Sequence, residues 1–403
     1  MQNRGFAHLA ILAGISTLPP LSIDMNLPAI PDIEAAFGVA QGQGSLTLSL
    51  FLLGFAVAPL LGGPLSDRFG RKPVLLAALM LNTLAALACT LHGSFHFLLF
   101  SRLVQGIASG VCILAPLAIL RDTLTGAEAR KQFSAIMFVG GVAPLVAPIL
   151  GGLVLLYTGW AAIYGVQGGL GLALFILVLM RVPESLPPEK RNTTSAGKLF
   201  AGYAAIFRSP HFLGLALPQA LAFACIFSYI AGSPGFMLGE LGLSEQAYSL
   251  IFALTSFGVM VGAFASGLLG RREIRVGRIL GFALTLMTLA AASVFLLTWS
   301  RAGGLAVLLP LLFLVMTCFG IIQPNAMSEA VAPWGHMAGT ASGAVNSLQM
   351  LAGAGASALA PLLNTVWEPG KAMGLSILCA ALLSAGIYLF FGKIQKNRTP
   401  SAP

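Results

Sequence analysis

The sequence predicts an all-α integral membrane protein with about twelve spanning helices in two related halves of six. Three observations predict it. Of 403 residues, 57% are hydrophobic and only 9% charged, and the mean hydropathy is +0.89. A soluble domain carries roughly 25% charged residues, so most of this surface faces lipid rather than water. The second observation is the recurrence of apolar windows of bilayer-spanning length. The third is a basic loop motif that returns in the second half of the chain.

The windows follow one another along the chain at about 7–30, 44–66, 73–92, 95–120, 132–156 and 160–181, then at 211–237, 245–269, 276–299, 303–331, 337–362 and 370–391. The 47 glycines and 23 prolines lie largely inside these windows, as in tightly packed membrane helices. One long polar segment, 182–210, separates the sixth window from the seventh. It holds Glu184, Pro187, Pro188, Glu189, Lys190, Arg191 and Lys198. This gives an N-terminal bundle over 1–181, a cytoplasmic linker over 182–210 and a C-terminal bundle with a short tail over 211–403. The run after Arg4 lacks a small-x-small cleavage site and is interrupted by Pro19, Pro20 and Asp24, which argues against a removed signal segment.

The basic residues set the orientation. With the N-terminus in the cytoplasm, nineteen of the 22 lysines and arginines fall on the cytoplasmic side, Arg301 and Lys371 lie outside, and Arg102 lies within a span. This asymmetry places both termini inside a plasma, or inner, membrane. It also accounts for the net charge of +9 without a nucleic-acid partner, because the basic residues form no patch interleaved with aromatics. Cys89, Cys112, Cys225, Cys318 and Cys379 lie far apart in apolar stretches and read as small packing residues. His92 and His96 are spaced i, i+4 at an outer turn with no acid or thiol nearby, so no metal site is expected. The sequon Asn192-Thr193-Thr194 falls on the cytoplasmic side, where it is inert.

The halves echo each other. The second window ends in Gly63-Pro64-Leu65-Ser66-Asp67-Arg68-Phe69-Gly70-Arg71-Lys72; Gly267 and Arg275, after the eighth, stand 204 positions beyond Gly63 and Arg71. Two related halves with a site between them at mid-membrane make a transporter architecture.

Residues 62–76, GGPLSDRFGRKPVLL, resemble the loop signature of the major facilitator superfamily. Ser101-Arg102-Leu103-Val104-Gln105-Gly106 resembles its fourth-helix motif. GGVAPLVAPILGG over 140–152 resembles the fifth-helix antiporter motif, with Ala147 in place of the usual glycine before Pro148. Pro20-Leu21-Ser22-Ile23-Asp24-Met25-Asn26-Leu27-Pro28 and Arg121-Asp122 are similar to the bicyclomycin/chloramphenicol-resistance branch of the twelve-span drug:proton antiporters. The resemblance implies a proton-coupled multidrug exporter working by alternating access. A facilitator, importer or exporter of a natural metabolite on the same fold is the alternative. No phosphate-binding loop, zinc-protease or nucleophile-elbow motif accompanies the spans, so neither ATP-driven transport within this chain nor an enzyme is expected.

Asp24 is the acid set well inside a span, where an unpaired charge costs several kcal/mol. Desolvation and a nearby cation act on it in opposite senses, and a carboxyl balanced between them can load and release a proton. Arg102 keeps its charge when buried. By residue count both groups sit at roughly 10 Å depth, on opposed helices, which predicts that they face one cavity and interact. The resemblance ties this arginine to proton coupling; read alone, it is equally a structural charge bonded to carbonyls. Gly62 and Gly63 are expected to permit close helix approach, Asp67 to meet the N-terminus of a neighbouring helix, and the basic residues Arg68, Arg71, Lys72 and Arg121 to form a cytoplasmic latch around Asp122. Gly140, Gly141, Pro144, Pro148, Gly151 and Gly152 suit tight packing of the fifth helix, and the resemblance adds a bend that prevents leak. Met25, Asn26, Phe51, Phe55, Phe138, Tyr229, Gln323, Asn346 and Gln349, with Asp24 and Arg102, are candidate lining for a mostly apolar cavity with few polar anchors. Each polar member is also an ordinary interhelical hydrogen-bonding group. The expected partners are an amphipathic small molecule and membrane lipid, the coupling ion is the proton with no other cofactor, and one chain suffices as a monomer.

Overall fold

A computed structural model describes residues 2–91, 93–191, 196–272, 274–301 and 304–398 of the chain. Twelve helices of at least 19 residues are found among them: α1 (Gln2–Asp24), α2 (Leu46–Phe69), α3 (Arg71–Cys89), α4 (Phe95–Thr123), α5 (Gly126–Tyr157), α6 (Trp160–Arg181), α7 (Pro210–Pro234), α8 (Glu245–Gly270), α9 (Val276–Ser300), α10 (Gly304–Val331), α11 (Ala338–Leu363) and α12 (Pro369–Arg398). Only helices satisfy every backbone polar group within one segment, which is why apolar runs of this length fold this way in lipid. Eleven of the helical segments are apolar enough to cross a membrane. The remaining long helix, α11, has the length, but Thr340, Ser342, Asn346, Ser347 and Gln349 with several glycines dilute its hydropathy.

The chain divides into two compact units. The first comprises Met1–Val39, Leu46–Thr194 and Ser244–Ala253, and the second Ala40–Ser45, Ser195–Leu243 and Leu254–Pro403. In the first unit α4 packs against α2 and α3, α3 against α6, and α1 against α4, α5 and α6. In the second, α10 packs against α9 and α7, α9 against α12, and α7 against α11 and α12. Shifted by six helices, the pairs α3·α4, α3·α6, α1·α5, α1·α6 and α1·α4 recur as α9·α10, α9·α12, α7·α11, α7·α12 and α7·α10. Each unit is therefore built on one pairing scheme, as the repeated loop motif predicts.

The crossings of α2 with α4 and of α8 with α10 depend on glycine. A Cβ at Gly106 would collide with the Phe51 carbonyl, and one at Gly320 with the Val259 carbonyl. Gly54 and Gly258, also 204 positions apart, close the same two crossings against Leu103 and Phe313. Sequence reading singled out Gly62 and Gly63 for close approach. A Cβ at Gly62 would come 3.2 Å from the Val111 side chain, but one at Gly63 would meet nothing within 4 Å. The tight contact lies earlier in α2, at Phe51 and Gly54, where the added Cβ atoms would meet backbone.

The polar segment after α6 holds more structure than its composition suggests. A helix over Ala196–Phe207 lies in the second unit, with Tyr203, Ile206 and Phe207 packed on a core formed by Phe212, Ala216, Ala341 and Val345. Spacing of i, i+3, i+4 gives this helix an apolar face; the charges upstream conceal it in a composition scan. His92 and the sequon Asn192-Thr193-Thr194 lie outside the described residues.

Candidate functional site

The site builds from the broken end of α1. Pro19 and Pro20 remove two backbone donors, α1 stops at Asp24, and the chain continues through a 3-10 turn over Leu27–Ala29 into a short helix over Ile30–Phe37. The carbonyls at such an end need other donors. Ser22 O receives two from side chains: Asn26 Nδ2 at 2.7 Å and Arg102 Nη2 at 2.9 Å.

Arg102 is completely buried. Its Nη1 donates to Gln105 Oε1 at 2.6 Å and its Nε to Thr47 O at 3.4 Å. The guanidinium carbon lies 4.6 Å from the Phe51 ring centre and 5.6 Å from that of Tyr164. Planar donors below aromatic faces are the arrangement a guanidinium suits and an ammonium does not. The network continues: Gln105 Nε2 donates to Gln167 Oε1 at 3.1 Å and to Ser22 Oγ at 3.3 Å, and Gln167 Nε2 donates to Leu21 O. One cation and two amides thus link α1, α2, α4 and α6.

Asp24 lies beside this network without joining it. Its side chain is 5% exposed, and among the described residues it forms no hydrogen bond or ion pair. The expected Asp24–Arg102 pair is therefore absent from this structure. The physical reason is that the Ser22 carbonyl at the end of α1, the Thr47 carbonyl at the start of α2 and Gln105 already occupy the guanidinium. Asn26 Oδ1 and Tyr164 Oη are likewise buried without a partner. The first unit also carries a partly open, wholly apolar pocket of about 190 Å³ lined by Leu18, Met25, Val154 and Leu170, with Ser22 and Gln167 at its edge. That is below the ~300 Å³ of an ordinary small-molecule pocket.

The remaining candidates disperse. Phe51 and Phe55 are buried, Phe51 beneath Arg102. Phe138 is 65% exposed on α5, outside the buried core of the first unit. In the second unit Tyr229 Oη pairs with Thr255 Oγ1 at 2.9 Å and Gln349 Oε1 accepts from Gln219 Nε2 at 3.1 Å. Gln323 and Asn346 are half-buried, and Asn325 donates to Ser266 Oγ. In α5, Gly151 faces the Met25 carbonyl so closely that a Cβ would collide, and Gly152 is also crowded. Gly140 and Gly141 have room to spare, so small-residue packing is confined to the end of the motif. Pro144 and Pro148 lie within α5, which runs continuously as a helix.

The basic loop between α2 and α3 is more ordered than its residues alone suggest. Arg71 holds Asp67 at 2.5 Å and Asp122 at 2.9 Å, and donates to Ser66 Oγ at 2.7 Å. Arg68 lies over the Phe69 ring, and neither it nor Arg121 forms an ion pair among the described residues. The acid that meets a helix N-terminus is Glu184, not Asp67. Its carboxylate accepts from Arg71 N at 3.0 Å and Lys72 N at 3.3 Å, capping α3. Lys72 Nζ in turn donates to Leu179 O near the end of α6. Sequence reading placed Glu184 in the linker and gave no role to Gln105, Gln167 or Ser22; the positions of Gln105 inside the quoted fourth-helix motif and of Ser22 inside the quoted first-helix motif were the available signals.

The Major Facilitator Superfamily pattern matches residues 12–357. The chain is 32% identical over 393 residues to an uncharacterized MFS-type transporter, YdgK, of Bacillus subtilis, covering 97% of this chain and 96% of that protein. It is 30% identical to the multidrug resistance protein MdtL of a Shewanella species, with 86% of each chain covered. It is 29% identical to a bicyclomycin resistance protein homolog of Haemophilus influenzae, with 88% of each covered.

Proposed function

We propose that this chain, which belongs to the Major Facilitator Superfamily, is a proton-coupled exporter of small amphipathic compounds. It works in the inner membrane with both termini in the cytoplasm. The observation that carries the reading is Asp24, a buried carboxyl with no hydrogen bond or ion pair among the described residues, at the broken end of α1 two positions after Ser22, whose carbonyl the permanently charged Arg102 holds. Relatives named for multidrug and bicyclomycin resistance support export of drug-like molecules. The basic residues support the orientation. The halves 1–181 and 211–403, joined through 182–210, act as the two bodies of an alternating-access cycle.

In that cycle Asp24 takes a proton from the outer side, the protein opens inward, substrate binding releases the proton, and the loaded form turns outward. Entry of one proton at 100 mV supplies about 2.3 kcal/mol, enough for roughly a fifty-fold gradient of a neutral solute. Arg102 holds the end of α1 in place and does not carry the proton, since a guanidinium keeps its charge. Arg71, with Asp67, Asp122 and Glu184, forms the cytoplasmic latch. No cofactor is required beyond the proton.

The test is expression in a pump-deficient bacterium, challenged with chloramphenicol-like, bicyclomycin-like, fluoroquinolone and lipophilic-cation compounds, with and without an uncoupler. Resistance that disappears with the uncoupler and with Asp24→Asn, at unchanged amounts of protein in the membrane, is the expected result. Asp24→Asn pumping against a gradient at the normal rate would remove Asp24 from the mechanism. Uncoupler-insensitive counterflow of a nutrient would mark a facilitator instead.

A further inference from the structure

A polar pocket lies in the second unit, at the end of that bundle formed by the starts of α7 and α9 and the ends of α10 and α12. Its volume is about 540 Å³, within the range of pockets that hold small ligands. Two hydrogen bonds fix its walls. His211 on α7 places Nε2 3.1 Å from the Glu329 carbonyl on α10; a carbonyl only accepts, so Nε2 carries the proton. Tyr388 on α12 donates its hydroxyl to Gly277 O on α9 at 2.9 Å.

The same pocket is lined by one cation, Arg275, and one anion, Glu329. No ion pair joins them, and neither side chain has a hydrogen-bond partner among the described residues. Opposite charges that share a cavity and do not neutralise each other leave two recognition points for a ligand carrying both signs. The remaining lining, including Leu280 and Phe391, is apolar. Close in sequence to the pocket residues Leu280 and Phe391, Phe282 on α9 and Leu389 and Phe390 on α12 are exposed apolar side chains. A charged pocket on helices that also expose apolar side chains suits a headgroup with acyl chains rather than a free solute.

We propose that this pocket binds a phospholipid whose headgroup carries both a phosphate and a primary ammonium. Arg275 takes the phosphate. The Glu329 carboxylate and the Tyr388 hydroxyl oxygen accept from the ammonium. A fully methylated ammonium has no N–H to donate and fits less well, and a purely anionic headgroup leaves Glu329 opposed to like charge. The assignment to the cytoplasmic leaflet rests on the orientation proposed above; the binding itself does not rest on drug export.

The test uses full-length protein stripped of lipid in detergent and titrated with phosphatidylethanolamine, phosphatidylcholine, phosphatidylglycerol and water-soluble phosphoethanolamine, with retained molecules counted by native mass spectrometry. Phosphatidylethanolamine is expected to be retained at about tenfold lower concentration than either other lipid. Glu329→Gln should remove its advantage over phosphatidylcholine. Arg275→Gln should weaken both by about tenfold, and Arg278→Gln, outside the pocket lining, should change neither. Equal retention of the three lipids, preference for phosphatidylglycerol, or unchanged selectivity in Glu329→Gln overturns the proposal. Displacement by phosphoethanolamine at concentrations equal to the lipid would make this a site for a soluble zwitterion and overturn it too. Should a variant elute as aggregate, the three-lipid comparison on the wild-type protein still decides. Drug transport is not read, so failure of the exporter reading leaves this result standing.

Discussion

Arg102 carries a permanent charge in a place with no water, and the structure shows how that is tolerated: three acceptors and two aromatic faces surround it. Sequence reading expected Asp24 as its partner. Arg102→Ala should deplete the folded protein, since removing a fully buried cation leaves Ser22 O without one donor and Gln105 Oε1 with none. Arg102→Lys should lower stability by about 2–4 kcal/mol, because a single ammonium cannot reach three acceptors and stack at once. Thermal unfolding of the purified variant checks this; an unchanged midpoint would show that the network contributes little. Asp24→Asn should behave differently, keeping the fold and losing transport, because no partner is lost with its charge. That both residues lie within long apolar helical segments was legible from the windows. Their mutual geometry was not, because it depends on where the carbonyls at the end of α1 point.

Individual elements carry the next set of consequences. The start of α3 is capped from a distance, with Glu184 accepting from two of its free backbone donors. Glu184→Ala should destabilise the first unit by about 1–2 kcal/mol and Glu184→Gln by roughly half as much, since the amide still accepts but no longer opposes the helix dipole. Equal melting temperatures for all three proteins would show the cap to be idle. The crossings of α2 with α4 and α8 with α10 have no space for a side chain. Gly106→Ala and Gly320→Ala should each cost about 3 kcal/mol or more and deplete the protein from the membrane, whereas Gly63→Ala and Gly141→Ala should be tolerated. Membrane amounts measured side by side decide this. Glycine content was plain in the sequence; which glycines touch a neighbouring backbone was not, because that follows from the rotation of each helix about its axis.

At the scale of the whole molecule the two units repeat one pairing scheme, and charge is distributed with the same economy. The two basic residues expected on the outer side, Arg301 and Lys371, both pair with Glu368, Lys371 at 3.1 Å. Glu240 nearby caps α12 by accepting from Gly370 N at 3.0 Å. Arg301 and Lys371 hold the Glu368 carboxyl below its ordinary range. A carboxyl lowered in this way stabilises the folded state above its unfolded pKa, and that contribution is lost as pH falls through the folded value. Wild-type protein should therefore unfold at a slightly higher temperature than Glu368→Gln near neutral pH, with the difference closing as pH falls through the folded pKa of Glu368. A gap that persists in acid would assign the effect to packing rather than charge. The exposed setting keeps the expected shift small.

The sequence by itself determined that the chain crosses a membrane many times, that it repeats after six helices, and that its basic residues gather in alternate loops. Those properties follow from bilayer thickness, from the need to satisfy every backbone group in lipid, and from the placement of charge, all of which act on residues in order along the chain. Only the tertiary structure decided that Arg102 is held by Ser22, Thr47 and Gln105 rather than by Asp24, that Glu184 rather than Asp67 caps a helix, and that Arg275 and Glu329 share a pocket without pairing. Each of these depends on how helices distant in sequence are rotated and shifted against one another. That is settled by close packing of small residues, and no local pattern of polarity records it.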